Sequence, residues 1–193
     1  MNRRDFVKGL SAVTAIASIG FLFPKALKAS HHQGFDLMNH LEKESKSDFD
    51  YLEMIKNDIT FPLVKDTRGA DEWRSVLSED EFYVLREEGT ERAFTGPYWD
   101  NKQAGMYHCR GCDLPLFPSM TKYKSGTGWP SFWAPLDNRL IGIHTDTRFF
   151  MTRTEVHCAR CAGHLGHVFE DGPQPTGLRY CLNGTSLKFE PKA

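Results

Sequence analysis

A chain of 193 residues with 40% hydrophobic, 25% charged and 12% aromatic residues can build one domain around a real core, which excludes a disordered or fibrous protein and requires no second domain. The formal net charge is -1, but Arg3, Arg4, Lys8, Lys25 and Lys28 stand against Asp5 in the first 29 residues, leaving 19 bases and 24 acids in the body. A body at -5 lacks the clustered basic face that phosphate binding needs, so no nucleic-acid partner is expected.

Residues 1–29 read as a removable address label: a basic start, an apolar run from Leu10 to Phe23, then Pro24 and small or basic residues up to a cleavage point after Ala29. The run is 14 residues, short of the roughly 20 that a bilayer span needs, so no stable membrane anchor is expected once the segment is cleaved. Asn2-Arg3-Arg4-Asp5-Phe6-Val7-Lys8 resembles the twin-arginine export motif, with Asn2 at the usual Ser or Thr, and points to a periplasmic protein exported folded. Residues 30–68 mix charges and scattered apolar side chains without a sustained period and read as a tether or weakly structured linker. His31 and His32 fall in it, and a tail supplies no fixed metal geometry.

The folded domain is expected over residues 69–193. Trp73, Val76 and Leu77 share one helical face, and Ser78 with Glu81 three residues on forms a capping box for a second helix that Gly89 ends. Beyond Gly96, short apolar or alternating runs between Gly, Pro, Asn and Asp predict strands at 106–109, 114–117, 140–144, 148–154, 178–182 and 187–189. Two helices before many strands, with no interleaved helical periods, predict an α+β domain that is mainly antiparallel β.

Cys109-Arg110-Gly111-Cys112 and Cys158-Ala159-Arg160-Cys161 form two Cys-x-x-Cys turns, enough sulfur for the tetrahedral shell of one structural zinc ion. Disulfides or a redox dithiol are the alternative in an exported protein. His40, His108, His144 and His157 read as isolated surface or core histidines. His164 and His167 differ, because Phe169, Glu170 and Asp171 put an aromatic wall and carboxylates beside them in sequence, a setting that suits proton transfer.

With four cysteines assigned to metal, Cys181 remains as the reactive thiol. A strand period of two places Arg179, Cys181 and Asn183 on one face, where a guanidinium favours thiolate over thiol. Asn183-Gly184 also reads as a type I′ hairpin turn.

From Trp73 to Phe189 these residues resemble the B-type methionine sulfoxide reductases. The motifs that carry the resemblance are 88–94 (Glu-Gly-Thr-Glu-Arg-Ala-Phe), 128–132 (Gly-Trp-Pro-Ser-Phe), 163–169 (Gly-His-Leu-Gly-His-Val-Phe), 171–173 (Asp-Gly-Pro) and 179–183 (Arg-Tyr-Cys-Leu-Asn), with both cysteine pairs in place. The resemblance implies packed antiparallel sheets with a zinc clamp remote from the active site, and reduction of the R epimer of methionine sulfoxide in oxidised proteins. It also implies that Cys181 is the nucleophile, that His164, His167, Arg179 and Asn183 form its polar setting, and that Trp129 and Phe169 wall the methyl pocket. Many relatives carry a resolving cysteine where Thr127 stands, and this chain has no sixth cysteine, so an external thiol reductant such as a thioredoxin-like domain is expected. A zinc-ribbon interaction module would leave Cys181 idle, and a thiol–disulfide oxidoreductase would need one zinc-free, accessible pair.

Overall fold

The computed structural model describes residues 35–147 and 152–192. The export signal, His31, His32 and the start of the strand expected at 148–154 lie outside the described residues.

The expected tether carries two helices. Helix α1, Leu37–Glu44, starts where the Asp36 carboxylate accepts from the Met38 and Asn39 amides at 2.9 and 3.3 Å. Ser45, extended at φ -155°, ends it and opens α2, Lys46–Asn57. Leu37, Met38, Leu41 and Leu52 are buried in the main core, and full burial of such a side chain is worth about 1.5–3 kcal/mol. Asn138 and Asp137 tie this layer down, the first by donating to the Phe35 carbonyl at 2.9 Å and the second by pairing with Lys56 at 3.2 Å. These apolar positions show no long period because the two helices are short and the break at Ser45 resets their phase.

Helices α3, Ala70–Val76, and α4, Glu79–Glu87, follow as expected. The α4 capping box forms, with the Ser78 amide donating to Glu81 and the Glu81 amide donating to the Ser78 hydroxyl. Trp73 is 2% exposed, but Val76, expected on the same face, is 57% exposed, because α3 ends there.

Nine strands make two antiparallel sheets among the described residues. The smaller runs β2-β1-β9, from β1 (Gly105–Cys109), β2 (Pro115–Pro118) and β9 (Leu187–Pro191). The larger runs β3-β4-β8-β7-β6-β5, from β3 (Lys122–Tyr123), β4 (Ser131–Phe132), β5 (Ile141–Asp146), β6 (Arg153–Cys158), β7 (His164–Phe169) and β8 (Arg179–Leu182). The α+β, mainly antiparallel class is therefore observed. The strand expected at 148–154 is shifted to 153–158, and β7 was not foreseen as a strand. Aromatic side chains join the two sheets: Tyr107 of β1 meets Phe132 of β4 at 5.0 Å between ring centres, and Phe117 of β2 meets Phe132 and Tyr180 of β8 at 4.9 and 5.4 Å.

Candidate active site and metal centre

Cys109 ends β1 and Cys158 ends β6, so each Cys-x-x-Cys turn projects from a different sheet. The four sulfurs nonetheless converge, with Cys109 and Cys161 Sγ 3.6 Å apart and Cys112 and Cys158 Sγ 3.5 Å apart. No disulfide links them. A tetrahedral shell with metal–sulfur bonds of about 2.3 Å places its sulfurs about 3.8 Å apart, close to what is found. The charge balance agrees, because four thiolates around a dication keep two negative charges. Arg86, Arg160 and Arg68 bond the carbonyls of Cys161, Cys112 and Gly111, and Lys65 bonds that of Ala159, which surrounds the cluster with cations.

Cys181 lies on β8 between Ser131 of β4 and His167 of β7, each directly opposite it in the strand register. Directly opposed residues share a sheet face, so hydroxyl, thiol and imidazole stand in a row. His164 joins them through an irregularity in β7, where the register against β6 shifts and Gly166 adopts φ +156°. A Cβ on Gly166 would run into the backbone of Cys181. The bulge brings the His164 and His167 rings to 5.4 Å, although a spacing of three would otherwise put them on opposite faces.

The carboxylates that serve the histidines are not the ones expected. Asp171 pairs instead with Arg179, through two bonds of 2.8 Å each. His164 Nδ1 donates to Glu155 Oε1 of β6 at 2.6 Å, and His167 Nε2 donates to Asp146 Oδ2 of β5 at 3.0 Å, an oxygen that Arg153 also engages at 2.7 Å. Burial pushes the Glu155 carboxyl up, but the hydrogen bond from His164 and the charges of His164, His144 and His157 outweigh it and hold it below its ordinary value. It is therefore an ionised acceptor at neutral pH, which fixes the proton on His164 Nδ1 and frees Nε2. His164 Nε2 is buried and has no hydrogen-bond partner among the described residues. Burial lowers the His167 pKa despite its bond to Asp146, so this ring is neutral at pH 7.

The Cys181 thiol is pushed up by burial, more than Thr127, Arg179 and Ser131 pull it down. Arg179 thus acts on the sulfur as expected but does not dominate, and its guanidinium also lies 4.3 Å over the Phe169 ring. Asn183 is 3% exposed and works as a tie: its Oδ1 accepts from the Glu91 amide at 3.0 Å and its Nδ2 donates to the Leu165 carbonyl at 3.2 Å. Gly184 opens a 3₁₀ turn, Gly184–Ser186, in place of the I′ hairpin, since β8 and β9 belong to different sheets. Glu91, which sequence reasoning assigned no individual role, caps that turn through the Gly184 and Thr185 amides at 2.6 and 2.8 Å.

Trp129 donates from Nε1 to the Glu91 carbonyl at 3.1 Å and borders a cleft of about 660 Å³, together with Tyr51, Phe94, Trp99, Lys122 and Tyr123. Thr127, on the same loop, has its hydroxyl 3.8 Å from Cys181 Sγ.

A SelR domain model matches residues 77–191. The chain is 51% identical over 135 residues to the peptide methionine sulfoxide reductase MsrB of Agrobacterium fabrum, covering 70% of this chain and 98% of that protein. It is 56% identical over 121 residues to the MsrB of Thiobacillus denitrificans, covering 63% and 92%, and 51% identical over 122 residues to that of Methanosarcina mazei, covering 63% and 87%.

Proposed function

The chain belongs to the SelR-domain family, and from that membership we propose that it is a B-type peptide methionine sulfoxide reductase acting on the R epimer within oxidised proteins, with Cys181 as nucleophile. The observation that carries the mechanism is the meeting of Cys181 with two carboxylate-held histidines on one sheet face. Cys181 sulfur attacks the sulfoxide sulfur, and its single proton, relayed through His164 Nε2, passes to the sulfoxide oxygen. The substrate sulfur is reduced to the thioether, Cys181 is oxidised to sulfenic acid, and the oxygen is retained as its hydroxyl. One reductant thiol then displaces water to form a mixed disulfide, and a second releases Cys181 as thiol.

The open, aromatic cleft beside Trp129 suits a methionine side chain presented by a protein, with Trp129 as a wall for its methyl group. Phe169, expected as the other wall, does not line this cleft and packs against the Arg179 guanidinium instead. Cys109, Cys112, Cys158 and Cys161 would hold one zinc ion, which contributes folding free energy and no acid–base chemistry because its shell is full. A zinc-ribbon module or thiol–disulfide oxidoreductase is not favoured, since neither accounts for the groups around Cys181.

Resolved R and S sulfoxides test this reading. Methionine should form from R, with at least tenfold discrimination over S, and after one turnover without reductant Cys181 should carry a trappable sulfenic acid. In Thr127→Cys the new sulfur replaces a hydroxyl 3.8 Å from Cys181, near enough to close to a bond of about 2.05 Å. That variant should instead show a two-hydrogen mass loss linking residues 127 and 181. Equal turnover of S, or a wild-type disulfide between Cys181 and a clustered cysteine, would refute the scheme.

We also propose periplasmic location by twin-arginine export, on the strength of residues 2–8. Among the described residues no helix is long and apolar enough to cross a membrane. Arg3→Lys with Arg4→Lys should strand folded, zinc-loaded precursor in the cytosol, whereas unimpaired export would sink the proposal.

A further inference from the structure

His144 and His157, expected to be solitary, share one carboxylate. His144 on β5 lies directly opposite Glu155 on β6, and His157 follows two residues along the same strand, on the same face. One ligand atom from each lies within 4.8 Å of the others. Glu155 is 4% exposed, and its oxygens serve two sides: Oε1 accepts from His164 Nδ1, and Oε2 lies 2.5 Å from His144 Nδ1.

We propose that His144, Glu155 and His157 form a second metal site, for a borderline divalent transition ion of the zinc(II) type, whose occupation inhibits the enzyme by drawing Glu155 away from His164. The donor set is two imidazoles and one carboxylate, which suits zinc, copper or nickel and not the oxygen-seeking magnesium or calcium. Ligand bonds of about 2.0–2.2 Å set the donor atoms roughly 3.3–3.6 Å apart, so His144 Nδ1 and Glu155 Oε2, 2.5 Å apart, must part to admit the ion while any wider pair closes. His144 can supply that movement, because its side chain is 53% exposed. The ion takes the place of the proton between His144 and Glu155, and water completes its shell. With three protein ligands, one of them at the surface, this site binds more weakly than the four buried or half-buried cysteines and fills only when metal is in excess.

The inhibition follows from the shared carboxylate. Glu155 positions the His164 ring, and turning Oε2 onto an ion lengthens the bond that Oε1 makes to Nδ1. Only this second half of the proposal rests on the reductase reading.

Calorimetric titration of ZnCl2 into the zinc-loaded full chain, with Cys181→Ser to remove a competing sulfur, should detect one further ion per chain. His144→Ala, and His144→Ala with His157→Ala, should weaken that binding at least tenfold while retaining the first zinc; the exposed position of His144 makes the single variant safe for folding. Unchanged affinity in both variants would overturn the site. With Cys181 present and pre-reduced, a second equivalent of zinc should slow single-turnover methionine formation at least fivefold in the parent chain and much less in His144→Ala. Equal inhibition of both would place the inhibitory zinc elsewhere and overturn the coupling. Should the chain reduce no sulfoxide, calorimetry still decides the metal site.

Discussion

Cys181→Ser is expected to lower methionine formation from the R sulfoxide by roughly a thousandfold or more while leaving fold and zinc content intact. A serine oxygen fills nearly the same volume but cannot be oxidised to a sulfenic acid, so the two-electron reduction has no electron donor. The substitution is mild for the fold, because Cys181 is only half-buried and sits among the hydroxyls of Thr127 and Ser131. The same sample should give a parental melting curve and one zinc per chain. Retained turnover would remove the nucleophile from the proposed mechanism. A large fall in melting temperature would assign Cys181 a structural role instead.

Cys109→Ser or Cys161→Ser should do the reverse, losing metal and stability first and activity as a consequence. Each Cys-x-x-Cys turn belongs to a different sheet, so an ion held by the four sulfurs would cross-link the sheets and not staple one turn locally. Structural zinc in small domains contributes about 10–16 kcal/mol, comparable to the whole stability of about 5–15 kcal/mol of a typical domain. Even a loss of about 4 kcal/mol should lower the melting temperature by about 10 °C, since each kcal/mol moves it by about 2–4 °C at this size. Metal analysis beside calorimetry measures both. Stoichiometric zinc with unchanged melting in both variants would mean other ligands hold the ion.

Much of the fold is local in origin and so was legible. The capping box of Ser78 and Glu81 depends on residues three apart, and it forms as read. The strands containing Tyr107, Phe117 and Tyr180 announce themselves by apolar alternation between turn residues, and those side chains are fully or almost fully buried. Strand β7 hid itself: Gly166 interrupts its alternation, and it is needed because a bulge there passes close to Cys181. Residues 37–57 hid for a different reason, since two short helices with a break at Ser45 leave no period long enough to register.

By itself the sequence determined the chemistry available: a lone thiol beside four paired ones, two histidines within one short motif, and an α+β frame of short strands. The tertiary structure alone decided which charges meet. Asp171 is near the histidines in sequence yet pairs with Arg179, whereas Glu155 and Asp146 reach them from neighbouring strands. The physical reason is that a strand's own period fixes only which residues share a face. Which carboxylate then lies beside which imidazole depends on strand order, register and one bulge, and these are set by burying the core that joins the two sheets.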